Sequence, residues 1–460
     1  MSRQFALIHM GNDEIYGLLF VANELLRQRQ KIRWFDGDLD NVVESIVSWK
    51  PDFVCFSPLT TFFIKALWLS RNIKKRKPEI CSVFGGHHVS AVSESVEHDG
   101  IDIIVRGPVY GTIEEILRTP PKSVIEGTPT LPGNMFPARR EYYAAIPRMA
   151  NKYRKYIMSH FGCIYNCSYC TTSFLRNTYG SQVYRNFWLT RRPVSHLIGE
   201  AKFLMKYNLE EVSLEDDDVL AGKDAESWLE IFCAAWKKNI NIPMYANVSP
   251  STVVKASDKT LKILSELVNS VQMGVQTSRP ESLKLFNRAH QNEKQVKEAY
   301  DRLTYFGIKV KIEIIVGLPV EDPVEDAIET VKMVQRIGPG TLVGCFPLML
   351  YPGTVLYEIC RSKKTELNED CEYEWHSGEG SVKFPSDVAR RIKNITKMAT
   401  MFVKYNIDEK WMRTLIDVDQ TDASSRGMSE CQFLESLVFR QGEGARKEFD
   451  KILADMHFRY

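Results

Sequence analysis

The sequence predicts an α/β protein in three parts: a doubly wound parallel-sheet layer, a partial barrel of six strand–helix units, and a mostly helical carboxyl-terminal region. Three observations predict it. Short apolar runs at 5–9, 32–35, 53–56, 82–84 and 101–105 alternate with helix-period stretches at 14–28, 63–77 and 112–118. A second alternating series begins near Lys155, with strand candidates at 156–160, 211–214, 244–248, 271–276, 309–316 and 342–350. Between the two series, Pro120, Pro121, Pro129, Pro132, Gly133 and Pro137 punctuate a stretch of little periodicity. The expected parts are therefore 1–120, a linker at 121–150, the barrel at 151–360 and the helical region at 361–460.

Each element has a local reason. The first series' runs of three to five mostly apolar residues are too short for helices and suit strands. The helical segments of the second series, 194–207, 225–238, 258–267, 292–306 and 324–337, supply the crossovers that parallel strands require. Segments 387–405, 429–440 and 445–456 are helix-periodic with no strand between them. In both sheet types the loops at the carboxyl ends of the strands carry ligands and chemistry.

Composition narrows the function classes. The chain has 460 residues, 44% of them apolar and 26% charged, with 60 Lys and Arg against 58 Asp and Glu. That balance gives no electrostatic reason for nucleic acid or an anionic membrane as the main partner. No apolar run approaches the roughly 18–20 residues of a membrane span, and Asp13 and Glu14 fall where a secretory segment would be apolar. A cytoplasmic enzyme is the expectation. Ten cysteines are too sparse for a disulfide scaffold, but Cys163, Cys167 and Cys170 fall within eight residues.

Those three thiols follow the first barrel strand, in His160-Phe-Gly-Cys163-Ile-Tyr-Asn-Cys167-Ser-Tyr-Cys170. Spacings of three and then two residues on a tight loop let thiolates converge on one iron–sulfur cluster. A four-iron cube takes four ligands, so three would leave one iron open, which is a catalytic arrangement. A zinc site completed by His160, or three neighbouring structural thiols, are the competing readings at this point. Cys345, Cys360 and Cys371 are too widely spaced to suggest a second cluster, and Cys55 and Cys81 behave as small apolar strand residues.

Cys-x₃-Cys-x₂-Cys at the start of a six-unit partial barrel resembles the radical S-adenosylmethionine (SAM) enzymes, and the resemblance runs over most of 156–358. It implies a [4Fe–4S] cluster on Cys163, Cys167 and Cys170, with Tyr169 near the adenine. Leu214-Glu215-Asp216-Asp217 resembles the acidic motif that holds the methionine amino group, implying Glu215 and Asp216 as contacts. Gly274-Val275-Gln276 with Asn287-Arg288, Ile315-Val316-Gly317-Leu318-Pro319 and Pro352-Gly353-Thr354 resemble later motifs of the family, implying Gln276, Ile315 and Gly317 at S-adenosylmethionine. Read without the family, Asp216 to Asp218 could equally be a solvated loop.

A doubly wound layer before such a barrel resembles the cobalamin-binding subclass. Ser57-Pro-Leu59 resembles the turn that approaches the nucleotide tail, and Gly85-Gly86-His87 the glycine pair beside it. Asn12-Asp13-Glu14-Ile15-Tyr16-Gly17 occupies the place of Asp-x-His-x-x-Gly, with Glu14 where the cobalt-ligating His would be. The resemblance implies Asn12, Glu14, Gly17, Ser57, Leu59, Gly85 and Gly86 at cobalamin. Arg106-Gly107-Pro108 lacks the acidic residues often found after that Arg-Gly, and His87 and His88 read as loop histidines rather than cobalt ligands. A layer that only packs on the barrel is the alternative.

The function implied is cobalamin-dependent radical chemistry, with methylation of an unactivated carbon or phosphorus centre in a small molecule or peptide as the leading expectation. An electron donor such as flavodoxin or ferredoxin would be needed. A radical reaction without methyl transfer (cyclisation, ring contraction or oxidation) and a non-catalytic metal-binding interaction protein are the competing classes.

Overall fold

The computed structural model describes residues 2–129, 136–338, 341–368 and 379–418, together with Gly444 and Lys447. The amino-terminal series folds as β1 (Gln4–Ile8), α1 (Tyr16–Arg27), β2 (Lys31–Phe35), α2 (Leu39–Trp49), β3 (Phe53–Phe56), α3 (Thr60–Arg76), β4 (Cys81–Phe84), α4 (His87–Ala91), β5 (Ile103–Arg106), α5 (Ile113–Ile116) and β6 (Ser123–Glu126). The strands form one sheet in the order β2-β1-β3-β4-β5-β6, and the pairings are parallel. All four residues of β3 are buried, as expected of a strand covered by helices on both faces. Asp38 fixes the start of α2 by accepting from the Asn41 N–H. The strand order turns back between β1 and β3, so their following loops diverge and leave a crevice at the carboxyl edge.

Residues 121–150, expected to be a linker, hold three elements: β6, α6 (Arg139–Ala145) and α7 (Pro147–Ala150). β6 adds a sixth strand, pairing with β5 from Ile103↔Ser123 to Arg106↔Glu126. Only Ile125 of its four residues is buried, so an edge strand beside prolines leaves almost no apolar signal.

The second series folds as β7 (Arg154–Ile157), α8 (Thr171–Tyr179), α9 (Ser181–Phe187), α10 (Val194–Leu204), β8 (Glu211–Leu214), α11 (Ala225–Asn239), β9 (Met244–Val248), α12 (Pro250–Lys255), α13 (Asp258–Leu267), β10 (Val268–Gln276), α14 (Pro280–Leu285), α15 (Glu293–Tyr305), β11 (Lys309–Val316), α16 (Pro323–Ile337), β12 (Leu342–Pro347) and α17 (Val355–Ser362). Strand order follows chain order, β12-β11-β10-β9-β8-β7, a curled half-barrel. Along β11 the side chains alternate: Val310, Ile312, Ile314 and Val316 are buried under the helices, while Lys311, Glu313 and Ile315 share the other, half-buried face.

After the barrel come α18 (Ser386–Lys404) and α19 (Glu409–Ile416). The helices expected at 429–440 and 445–456 lie outside the described residues, as do Cys371 and Cys431. By compactness the chain divides into two units. One holds 1–247, 257–269 and 351–359, and the other the described residues of 248–256, 270–350 and 360 onward.

Candidate active site

The cysteine loop joins β7 to α8. Cys167 is buried, Cys163 and Cys170 are half-buried, and Cys170 is the N-cap residue of α8. Burial pushes the Cys163 thiol up, with Asp217 and Asp218 adding to the rise, and burial with Asp217 pushes Cys170 to about 11. Such thiols become thiolates only against a strong positive partner, which a metal centre supplies. All three thiols share one short loop, and a four-iron cube held by Cys thiolates would take one of them on each of three irons.

The acidic run after β8 divides by direction. Asp216 is fully buried and all its capacity is used: Oδ1 accepts from the Ser159 N–H at 2.6 Å and the His160 N–H at 3.2 Å, while Oδ2 accepts from the Ser159 hydroxyl and lies 3.1 Å from His160 Nδ1. The expectation that Asp216 contacts S-adenosylmethionine is therefore corrected: it ties β8 to the residues that open the cysteine loop. Burial alone would raise its carboxyl, but the charge and hydrogen bond of His160, then Arg191 and Ser159, hold it at about 2.

Asp216 should therefore stabilise the fold fully above about pH 4 and lose its contribution, about 2 kcal/mol, as pH falls towards its native value. In urea unfolding, Asp216→Asn should fall short of the parent by that amount at pH 6 and match it near pH 2. An equal deficit at both pH values would contradict the assignment.

Asp217 points the other way. It is open to solvent yet crowded by protein, and desolvation with help from Asp216 and Asp218 pushes its carboxyl up to about 6. It is the acid that raises both Cys163 and Cys170, and Thr172 at the start of α8 reaches it at 3.5 Å. Glu215 is half-buried, accepts from the Ser213 hydroxyl at 2.5 Å, and is raised by burial. Tyr169 is half-buried between Cys167 and Cys170. The Ser168 carbonyl accepts from the Leu356 N–H at 2.8 Å, just after Pro352-Gly353-Thr354.

In the other unit, Gln276 ends β10 with φ of 75°, a left-handed conformation unusual for Gln and coincident with a register shift between Gly274 and Gln276. Gln276 and Ile315 both lie on half-buried strand faces at the carboxyl ends of β10 and β11. Gly317 has φ of 74°, and a Cβ there would stand 3.1 Å from Ile392 of α18, so helix packing accounts for this glycine.

In the first sheet, three expected cobalamin contacts converge on one hydroxyl. A Cβ on Gly86 would lie 2.6 Å from Ser57 Oγ, and one on Gly17 3.9 Å from the same atom. These residues start α4, follow β3 and start α1, so the loops at the switch point meet there. A Cβ on Gly85 would meet only the Val105 carbonyl at 3.6 Å, and Leu59 leaves half its apolar surface exposed at the same edge.

Gly86 has φ of 87° with ψ of −174°, a region essentially confined to glycine. Gly86→Ala should cost about 1–3 kcal/mol and reduce cobalamin retention. Adding Ser57→Ala removes the hydroxyl collision but not the backbone strain. Full recovery of stability in the double variant would show that collision, not backbone, sets the cost.

Glu14 and Asn12 do not join this cradle. Glu14 Oε2 pairs with Arg139 at 2.9 Å and Oε1 accepts from the Tyr143 hydroxyl, with both charged side chains almost wholly buried. Glu14 as a cofactor contact is thus corrected: a carboxylate spent on a buried ion pair is not free for a ligand. Asn12 is exposed, its carbonyl accepting from Lys152, and Lys152 also pairs with Asp13 at 2.7 Å.

Arg139 also pairs with Glu200 of α10, which pairs in turn with Arg192 at 2.7 Å and accepts from the Tyr16 hydroxyl at 2.6 Å. Two cations and two anions therefore close a buried, neutral network joining α1, α6 and α10. Arg139, Glu200, Arg192 and Tyr16 carried no functional signal in the sequence.

His88 is accounted for by structure: it stacks on Phe63 at 4.0 Å, contacts Thr60 at 3.2 Å, and burial with the nearby His98 lowers it to about 4. Cys345 and Cys360 are buried.

Comparison with known proteins agrees with this layout. Residues 157–334 match the model of the Radical SAM superfamily, and residues 17–117 match that of the B12 binding domain. A curated relative, the ribosomal protein uS12 methylthiotransferase RimO of Citrifermentans bemidjiense, is 24% identical over 323 residues. That alignment covers 67% of this chain and 61% of RimO, so the chain spans less than two thirds of that relative's length. Two structures of the cobalamin-dependent S-adenosylmethionine radical enzyme OxsB share the fold. The aqua-cobalamin form superposes with a TM-score of 0.67 at 11% identity, over 98% of this chain and 75% of OxsB. The form with S-adenosylmethionine also bound gives 0.64 at 12%, over 95% and 70%. No helix among the described residues is long and apolar enough to cross a membrane. With a B12 binding domain in front of a Radical SAM domain, the chain belongs to the cobalamin-dependent radical SAM enzymes, whose cofactors are a [4Fe–4S] cluster, S-adenosylmethionine and cobalamin.

Proposed function

We propose that this enzyme methylates an unactivated carbon or phosphorus centre of a small-molecule or peptide substrate. The observation that carries the reading is the packing of α4 on α8. α4 begins at the Gly85-Gly86 turn and α8 begins at Cys170, so the helices that follow the two candidate loops pack on one another, which supports the reading. Gly353 presses on Ala91 at the end of α4, where an added Cβ would approach to 2.8 Å. Methyl transfer from cobalamin to a substrate radical needs that proximity.

In this reading Cys163, Cys167 and Cys170 hold three irons of the cluster. Asp217, with Glu215 beside it, receives the methionine ammonium, because it is the accessible carboxylate of the acidic run and is set against the cysteines. Tyr169 and, from the later strands, Gln276, Ile315 and Gly317 are assigned to the remainder of S-adenosylmethionine. Ser57, Leu59, Gly17, Gly85 and Gly86 cradle cobalamin. The bound cofactors supply a 5′-deoxyadenosyl radical by one-electron cleavage of S-adenosylmethionine, and a methyl group from methylcobalamin. The protein's part is to hold both against one substrate and keep water away from a reactive carbon radical. A one-electron donor such as flavodoxin or ferredoxin completes the cycle.

Product analysis tests the reading. Reconstituted protein with reductant and a methyl acceptor should form 5′-deoxyadenosine and S-adenosylhomocysteine in equal amounts. Deoxyadenosine alone would replace methyl transfer by another radical reaction. Neither product, over a range of acceptors, would contradict both.

A further inference from the structure

The cysteine loop rests on a side-chain seat from the α8–α9 segment that no motif marks. Tyr184 of α9 is 1% exposed. Its hydroxyl accepts from the Cys163 N–H at 2.9 Å and donates to the Cys163 carbonyl at 3.2 Å. Arg176 of α8 donates to the same carbonyl at 2.7 Å while its guanidinium lies over the Tyr184 ring, 5.0 Å from the centroid. The other face of that ring system is fixed by Trp188, stacked at 5.5 Å with planes 13° apart, and the Trp188 carbonyl accepts from the Phe161 N–H at 3.0 Å. Gly162 is the counterpart. A Cβ there would fall 2.5 Å from the Tyr184 hydroxyl and 2.9 Å from Trp188 Cβ, so the seat closes only because residue 162 has no side chain.

We infer that Tyr184, with Arg176, is a positioning residue for the cluster: the pair clamps both main-chain polar groups of Cys163 and so fixes the first thiol at the cluster. This deepens the proposed function and rests on the assignment of Cys163 as a ligand. The physical logic is one of pre-organisation. A loop carrying three ligands must hold them apart and aligned before the cluster arrives, and Cys163 lies farthest from the helix that anchors Cys170. One hydroxyl bonded to both the N–H and the carbonyl of one residue restrains its rotation about the backbone.

Tyr184→Phe in the full chain keeps the ring between Arg176 and Trp188 and removes only the hydroxyl. The melting temperature should stay within about 2 °C of the parent, while iron loss from the reconstituted protein to a chelator should be roughly ten-fold faster, the scale expected for losing the two hydrogen bonds that the hydroxyl makes to Cys163. Arg176→Gln removes the second donor to the same carbonyl and should also speed iron loss, and the double variant should fall short of the product of the two effects. It also serves as the test if Tyr184→Phe fails to fold.

Parent rates of iron loss in both variants would overturn the inference. So would a drop in melting temperature that parallels the faster loss, since that is general loosening. Cys163→Ala separates the two levels. If that variant keeps its full iron, the cluster assignment itself fails. If it loses iron and the seat variants do not, only the role of Tyr184 and Arg176 fails.

Discussion

Arg139→Met should lower the free energy of unfolding of its unit by about 3–5 kcal/mol, the cost of breaking a buried ion pair from one side. Met matches the volume of the Arg stem and leaves Glu14 and Glu200 facing each other's charge without the cation they share. Both carboxylates are almost wholly buried, so solvent screens neither. Glu14→Gln in the same background should restore part of the loss, because it removes the carboxylate left without a cation while Glu200 keeps Arg192. Urea unfolding of the four members of that cycle gives the coupling energy directly. A coupling near zero would mean that the network contributes packing alone. The effect should reach cobalamin as well: Glu14 precedes Gly17 by three residues, and loosening it frees the loop that meets Ser57.

The second large effect is chemical. Cys167→Ala should eliminate the four-iron absorption spectrum and reduce S-adenosylmethionine cleavage to background, while leaving cobalamin binding at its parent level. Cys167 is the most buried of the three thiols, and Ala there is compatible with the turn in which the Cys170 N–H donates to the Cys167 carbonyl. Retention of full iron content would sink the triad assignment. Loss of cobalamin together with iron would mean that the cradle depends on the cluster loop.

Much of this molecule is legible in its sequence, and the pattern of what is not has physical causes. β3 shows itself because a strand buried on both faces reads as an unbroken apolar run. The cysteine triad shows itself because its spacing is local. β6 does not, because an edge strand buries one side chain in four.

At the acidic run the sequence names four residues but not their directions. Asp216 and Asp217 are adjacent and chemically identical, yet at the end of a strand one turns into the protein and the other towards solvent. Glu14 misleads for another reason. Its partner Arg139 is 125 residues away, in a stretch that reads as linker, so a carboxylate in a ligand's place has no visible alternative use. The Tyr184 seat escapes notice because its evidence is a distance to main-chain atoms 21 residues earlier.

The most direct test of the account is cobalamin binding by anaerobically purified, cluster-reconstituted protein. The convergence of Gly17, Ser57 and Gly86 predicts about one cobalamin retained per chain after gel filtration. It also predicts a visible spectrum unlike that of a His-ligated cobalt, since residue 14 is Glu where that His would be and its carboxylate is committed to Arg139 and Tyr143. No retention at saturating cobalamin would contradict the account, reducing the first sheet to a packing layer and the reaction to radical chemistry without a cobalt methyl donor.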